Sequence, residues 1–169
     1  MERGSLSGMR PAGTPIGLQL SQASRAVSRA FDDVLAEAGG SLPVWLIMIS
    51  LKTRNVASQR ELAEAVGVRE ATMTHHLNAM EGSGLVARRR DASNRRVQLV
   101  ALTPAGEDAF LRLRDVAMAF DARLRHGISV EETAVLEALL GRLAANVGSE
   151  PGARPPWAGL AESGSSHSN

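Results

Sequence analysis

Arg69, Thr72, His75 and His76 are spaced so that a helix through them carries four hydrogen-bonding side chains on one side. Five more cations follow closely, Arg88-Arg89-Arg90 and Arg95-Arg96, on either side of the turn-forming Asp91-Ala92-Ser93-Asn94. Groups of this kind bind phosphate oxygens and base edges, so the chemistry they offer is recognition rather than bond making. Neighbouring helical residues point about 100° apart, so His75 and His76 are badly placed to share a metal. His126 and His167 are isolated, and the chain has no cysteine. Nothing resembles a nucleophile with its base, a paired-carboxylate site or a phosphate-binding glycine loop. The expectation is a binding protein, not an enzyme, with no metal and no cofactor.

The elements that must position these residues follow from local signals. Ser58-Gln59-Arg60-Glu61 is a capping box, which starts a helix by pairing two backbone donors that would otherwise be orphaned. Leu62, Ala63 and Val66 form its apolar side, and Gly67 breaks it. A second helix is predicted from Val68 through Met80, with Met73, Leu77 and Met80 on its buried face and the polar set opposite. Gly82 and Gly84 end it. Leu85 to Arg90 and Arg95 to Leu102 then read as two short strands around the turn. Two helices joined by a tight glycine turn, followed by a basic wing, make a shape that fits duplex DNA.

Charge distribution agrees. The net charge is only +1, but residues 52–96 hold nine basic against five acidic side chains, a net of four positive. Residues 97–150 hold five arginines against eight acids, a net of three negative. A basic middle beside an acidic end is expected if only the middle meets phosphate.

Outside this core, Ile16, Leu20, Ala23, Val27, Phe31, Val34, Leu35 and Ala38 share one face of a long helix ended by Gly39-Gly40. Val44 to Leu51 is apolar on nearly every side and must be buried all round; periodicity alone allows a strand, while Pro43 at its start favours a helix. Thr103 and Pro104 form a cap and first position for a helix from Ala105 to about His126. Ser129-Val130-Glu131-Glu132 is a second capping box, opening a helix with Val135, Leu136, Leu139, Leu140, Leu143 and Val147 at helical spacing. A chain of 169 residues, 44% apolar, supports one compact domain. No apolar stretch approaches the roughly 18–20 residues of a membrane span, and residues 1–15 lack a signal-peptide core, so a cytoplasmic protein is expected.

The run from Ser58 to Phe110, SQRELAEAVGVREATMTHHLNAMEGSGLVARRRDASNRRVQLVALTPAGEDAF, resembles the winged-helix core of MarR-type bacterial transcription regulators. The wing entry Gly84-Leu85-Val86, the wing tip Asn94-Arg95-Arg96 and the exit Leu102-Thr103-Pro104-Ala105-Gly106 carry the likeness by their order and spacing, and it extends over roughly residues 16–147. The implied fold class is mainly α with a small β-hairpin wing: a winged helix-turn-helix with N- and C-terminal dimerisation helices. The corresponding organisation is a flexible tail over 1–15, an N-terminal dimerisation helix over 16–40, the DNA-binding core over 41–103, C-terminal dimerisation helices over 104–148 and a flexible tail over 149–169. The outer helices carry more apolar surface than a single winged-helix domain needs to cover itself, which also points to a homodimer.

By this resemblance the chain is expected to bind double-stranded DNA at a pseudo-palindromic operator, with half-sites roughly 34–36 Å apart, as a repressor relieved by a small aromatic or phenolic ligand. The absence of cysteine removes the thiol-sensing variant of the family. Expected DNA contacts are Arg69, Thr72, His75 and His76 in the major groove, Arg96 in the minor groove, and Arg88, Arg90 and Arg95 on phosphates, with Asn94 beside Arg96 where relatives carry an aspartate. His76 occupies a position that is often apolar in relatives, and the competing reading has it partly tucked against the core. Arg69 stands where a small capping residue is usual. Arg25 or Arg29 could supply a cation to an effector, with Trp45 and Met48 as apolar walls; the competing reading has the arginines pairing with Asp32, Asp33 or a partner subunit, and Trp45 in the core. The alternative function is a winged-helix protein-protein interaction module, for which an acidic or apolar recognition face would be the mark.

Overall fold

The computed structural model describes residues 13–54, 57–92, 94 and 97–148. The chain runs through α1 (Ile16–Glu37), α2 (Leu42–Arg54), β1 (Ala57–Ser58), α3 (Gln59–Val66), α4 (Glu70–Gly82), β2 (Val86–Arg90), β3 (Gln98–Leu102), α5 (Pro104–Leu124) and α6 (Val130–Asn146). It is a mainly α winged helix-turn-helix with a small antiparallel sheet. The expected tails, 1–15 and 149–169, lie almost wholly outside the described residues. Among the described residues no single helix is long and apolar enough to cross a membrane.

α1 ends in a Schellman turn: Gly40 N–H donates to Leu35 O (2.8 Å) and Gly39 N–H to Ala36 O (3.0 Å), with Gly39 at φ 80°. The reversal brings Asp32 to the start of α2, where its carboxylate accepts from Leu42 N–H at 2.8 Å. That bond stabilises one of the orphan donors of α2. The apolar run from Val44 is therefore helical, and Ile47, Met48, Ile49, Ser50 and Leu51 are fully buried. Ser50 is tolerated there because its hydroxyl donates to Leu46 O at 2.7 Å.

Around α2 the core gathers Leu35 of α1, Leu62 of α3, Met73 and Leu77 of α4, Val100 of β3 and Leu113 of α5. Each such side chain contributes about 1.5–3 kcal/mol through removal from water. β3 lies between β2 and β1: Val86 pairs with Leu102 and Arg90 with Gln98, while Ala57 pairs with Val100 on the other edge. The third strand was not expected. It is two residues long, too short for any alternating pattern to register.

Two element boundaries differ from the sequence reading for one reason. α4 begins at Glu70 rather than Val68, because Val68 N–H is used to close α3 on Ala63 O (3.0 Å). Likewise β2 starts at Val86 rather than Leu85, whose N–H closes α4 on Met80 O (2.8 Å). In both cases the residue still belongs to the cap that ends the preceding helix.

α5 starts at the Thr103 hydroxyl, which accepts from Gly106 N–H at 3.0 Å, with Pro104 at the first position. Its first half is buried through Ala109, Phe110 and Leu113. α6 opens on the Ser129–Glu132 capping box but buries no residue. Val130, Val135, Leu136, Leu139 and Leu140 on it, and Val147 just beyond its end, are exposed by 40–82%.

Candidate nucleic-acid interface

The helix-turn-helix is held by a small polar framework. At the start of α3, Ser58 N–H donates to Glu61 Oε2 (2.7 Å) and Glu61 N–H to Ser58 Oγ (3.3 Å). The Ser58 hydroxyl also donates to Glu61 Oε2 at 2.7 Å. The two bonds that the carboxylate accepts from Ser58, backbone N–H first and hydroxyl second, hold it below the usual glutamate range, against the opposing effect of burial and with a smaller contribution from Arg54. Gln59 Nε2 donates to Thr74 Oγ1 at 2.8 Å, and that hydroxyl donates to Glu70 O at 2.9 Å, so the first turns of α3 and α4 are pinned together. Sequence reading missed Gln59 and Thr74, because the tie joins residues fifteen apart that meet only after the turn forms.

With Met73, Leu77 and Met80 facing the core, the opposite side of α4 presents Arg69, Thr72 and His75 to solvent. Arg69 is the N-cap, in an extended conformation with no side-chain capping bond. His76 is half-buried, with its ring centroid 6.0 Å from that of His75. The same outer face continues through Asn78, three residues beyond His75 and also exposed. Asn78 was not singled out from the sequence, although its spacing from His75 was the available signal.

The strand arginines divide. Arg89 and Arg90 are exposed on β2. Arg88 departs from its expected place beside phosphate: its side chain is only 15% exposed. Its Nη2 donates to Asn78 Oδ1 at 2.8 Å, and Nη1 lies 3.7 Å from Glu81 Oε2. Its Nε is buried without a hydrogen-bond partner. Residue parity explains the turn inward. Along β2, Val86 and Arg88 lie on the side facing α4, whereas Ala87 and Arg89 face solvent. Asn94 is exposed near the wing tip, where Asp91 N–H donates to Val97 O and Val97 N–H to Asn94 O. Arg95 and Arg96 lie outside the described residues.

Between the start of α3, Glu70 and the wing is a polar cleft of about 490 Å³ lined by Ser58, Gln59, Arg60, Glu70, Arg90, Val97 and Gln98. Arg60 Nε is 3.0 Å from Glu64 Oε1, and the hydrogen bond and charge of Glu64 keep its guanidinium more firmly protonated than usual. The cleft and the α4 face together form a polar, hydrogen-bonding surface of helix and wing that carries Arg60, Arg69 and Arg90 beside Glu70. Among the described residues no group of three or more His, Asp or Glu side chains is placed to hold a metal.

The four residues expected around an effector are not brought together. Met48 is fully buried, and Trp45 stacks on Phe110 in the core, so neither forms a cavity wall. Those positions are corrected to core packing, because every side of α2 is covered by another element. Arg25 and Arg29 are exposed on α1, and Arg29 Nε donates to Arg25 O at 3.3 Å. Asp32, one of their expected partners, accepts from Leu42 N–H. A groove of about 410 Å³ lies instead between α1 and α5, lined by Val34, Ala38, Val116, Ala119 and Phe120, with Glu37 and Arg123 at its polar edge. The Arg123 guanidinium sits 5.2 Å from the Phe120 ring centroid.

The fold recurs in known proteins. Residues 41–97 match the MarR family model. The crystal structure of transcriptional regulator PA3341 is 32% identical, with a TM-score of 0.69 over 80% of this chain and 100% of that one. A MarR variant from E. coli in complex with operator DNA superposes with a TM-score of 0.71 at 20% identity, covering 76% of this chain and 93% of that one. NadR in complex with 4-hydroxyphenylacetate gives 0.62 at 25% identity, covering 80% and 96%. With the family model on the helix-turn-helix itself and that 32% identity across the whole of a transcriptional regulator, the chain belongs to the MarR family of DNA-binding transcriptional regulators.

Proposed function

We propose that this protein is a homodimeric repressor that occupies a pseudo-palindromic operator and is released by a small aromatic or phenolic ligand. The observation that carries the reading is the exposed Arg69–Thr72–His75 face of α4 beside the exposed Arg89 and Arg90 of the wing. A major groove about 12 Å wide admits one helix, and strand cations beside it meet the flanking phosphates. Arg96 serves the minor groove and Arg95 a phosphate, as the resemblance implies.

Dimerisation is supported by α6, whose apolar side chains have no cover, and by exposed Ile16, Leu18 and Leu20 at the start of α1. Soluble proteins rarely leave so much contiguous apolar surface bare. One recognition helix reads about four base pairs, so two are needed to specify a site. Release then follows from geometry: a ligand that favours a different spacing of the two helices stops both from docking together. The groove between α1 and α5, with aromatic and apolar walls and the Arg123 cation, suits a small aromatic anion better than Trp45 and Met48 do. NadR, bound to 4-hydroxyphenylacetate, supports this ligand class.

The test is binding of the purified protein to its own upstream intergenic DNA and to scrambled DNA across a salt series. Selective binding that weakens steeply with salt, and weakens further for Arg96→Ala, is expected. Equal, weak binding to both DNAs would overturn the reading in favour of a protein-interaction module.

A further inference from the structure

The structure assigns Asn78 as a sequence-reading residue of α4, with its amide held in one orientation by Arg88. This rests on the regulator reading above and names a residue that determines which operator is chosen. Asn78 lies on the same exposed face as Thr72 and His75, and Ala71 and Ala79 beside it are short and exposed. Short neighbours let the helix approach a groove floor closely.

An asparagine amide can normally turn over, offering either its oxygen or its NH2 to a base. Here one choice is removed. A guanidinium has only donors, so the side of the amide that faces Arg88 must be the oxygen. Arg88 Nη2 donates to Asn78 Oδ1 at 2.8 Å, and Glu81 Oε2 holds Nη1 from the other side at 3.7 Å. Because the Arg88 side chain is 15% exposed and its Nε edge is buried, the guanidinium is committed to α4 rather than to phosphate. The two amide N–H donors of Asn78 are therefore left facing outward. In the major groove they match acceptors, guanine O6 and N7, thymine O4 or adenine N7, and they find none on cytosine, whose edge offers only an amino group. Arg88 is the positioning residue and Asn78 the reading residue.

Binding-site selection from DNA with randomised half-sites tests the pair. The wild-type protein should disfavour cytosine, the base without an acceptor, roughly tenfold at one position in each half-site. Asn78→Asp keeps an oxygen for Arg88 but replaces the outward donor with an acceptor. It should shift the preference at that same position toward cytosine, whose N4 amino group it can accept from. Arg88→Met frees the amide, so the preference at that position should fade while the salt slope stays unchanged. Thermal unfolding of the variants separates these effects from loss of fold, and Asn78, being exposed, should leave the transition in place. A uniform loss of affinity on every sequence for Asn78→Asp would overturn the inference. So would a salt slope lowered by about one for Arg88→Met, the mark of a lost phosphate contact. A wild-type protein that selects no sequence at all would overturn the regulator reading itself, and this inference with it.

Discussion

The indole of Trp45 lies almost parallel to the ring of Phe110, 12° apart with centroids at 5.6 Å. Trp45 belongs to α2 and Phe110 to α5, so this stack joins the winged core to the long helix that leads away from it. Lys52 reinforces the joint, with its ammonium 5.6 Å from the Phe110 centroid and 2.9 Å from Glu107 Oε2. Any change of angle between core and outer helices must work against these contacts.

Phe110→Ala should therefore cost about 4 kcal/mol of stability, the range for emptying a buried aromatic site. Lys52→Ala, at a largely exposed ion pair, should cost less than about 1 kcal/mol. Urea unfolding midpoints at constant slope would check both, and equal effects would mean that the stack contributes no more than the surface pair.

The capping box of α3 makes stability depend on pH. The Glu61 carboxyl ionises at lower pH in the folded chain than in the unfolded one. Its ionised form thus stabilises the fold fully above the ordinary glutamate range of about 4.3, and the gain is lost as pH falls through the depressed folded value. Glu61→Gln should be less stable than wild type near neutral pH, and the gap should close in acid. Ser58→Ala should cost about 1 kcal/mol at neutral pH. Denaturation curves at pH 7 and pH 3 give the comparison; a gap that widens in acid would contradict the assignment.

Gly106→Ala, inside the first turn of α5, should be destabilising although alanine is the better helix former. A Cβ there would run into the backbone carbonyl of Leu85, which cannot move without breaking its bond from Thr103 N–H at 3.1 Å. Overpacking of this kind costs about 3 kcal/mol, more than the propensity gain of about 1 kcal/mol. Thermal unfolding should show a lower midpoint; a higher one would mean that β2 and α5 can separate cheaply.

On α6, the double replacement Leu136→Asp and Leu139→Asp should leave the core intact, since neither residue is buried within the chain. Sedimentation should show a monomer in place of a dimer. Operator affinity should fall roughly a hundredfold, because the second recognition helix no longer arrives as part of the same molecule. A dimer that survives both charges would place the interface elsewhere.

The starts of α3, α5 and α6 were legible because their causes are local. Ser58, Thr103 and Ser129 each bond a backbone N–H three residues on, so a short window of sequence contains the whole signal. The outer face of α4 was legible for the same reason: Met73, Leu77 and Met80 claim the inner side, and whatever lies opposite must face water. Tertiary structure alone decided the rest. β1 exists only because β3, some forty residues later, lies alongside it. Met48 and Trp45 became core rather than cavity because α2 is covered on all sides, and Arg88 turned from phosphate to Asn78 because its strand presents that side to α4. Local hydrogen bonds and periodicity set which elements form and which face is wet. Where a long polar or aromatic side chain ends depends on what the fold places across from it.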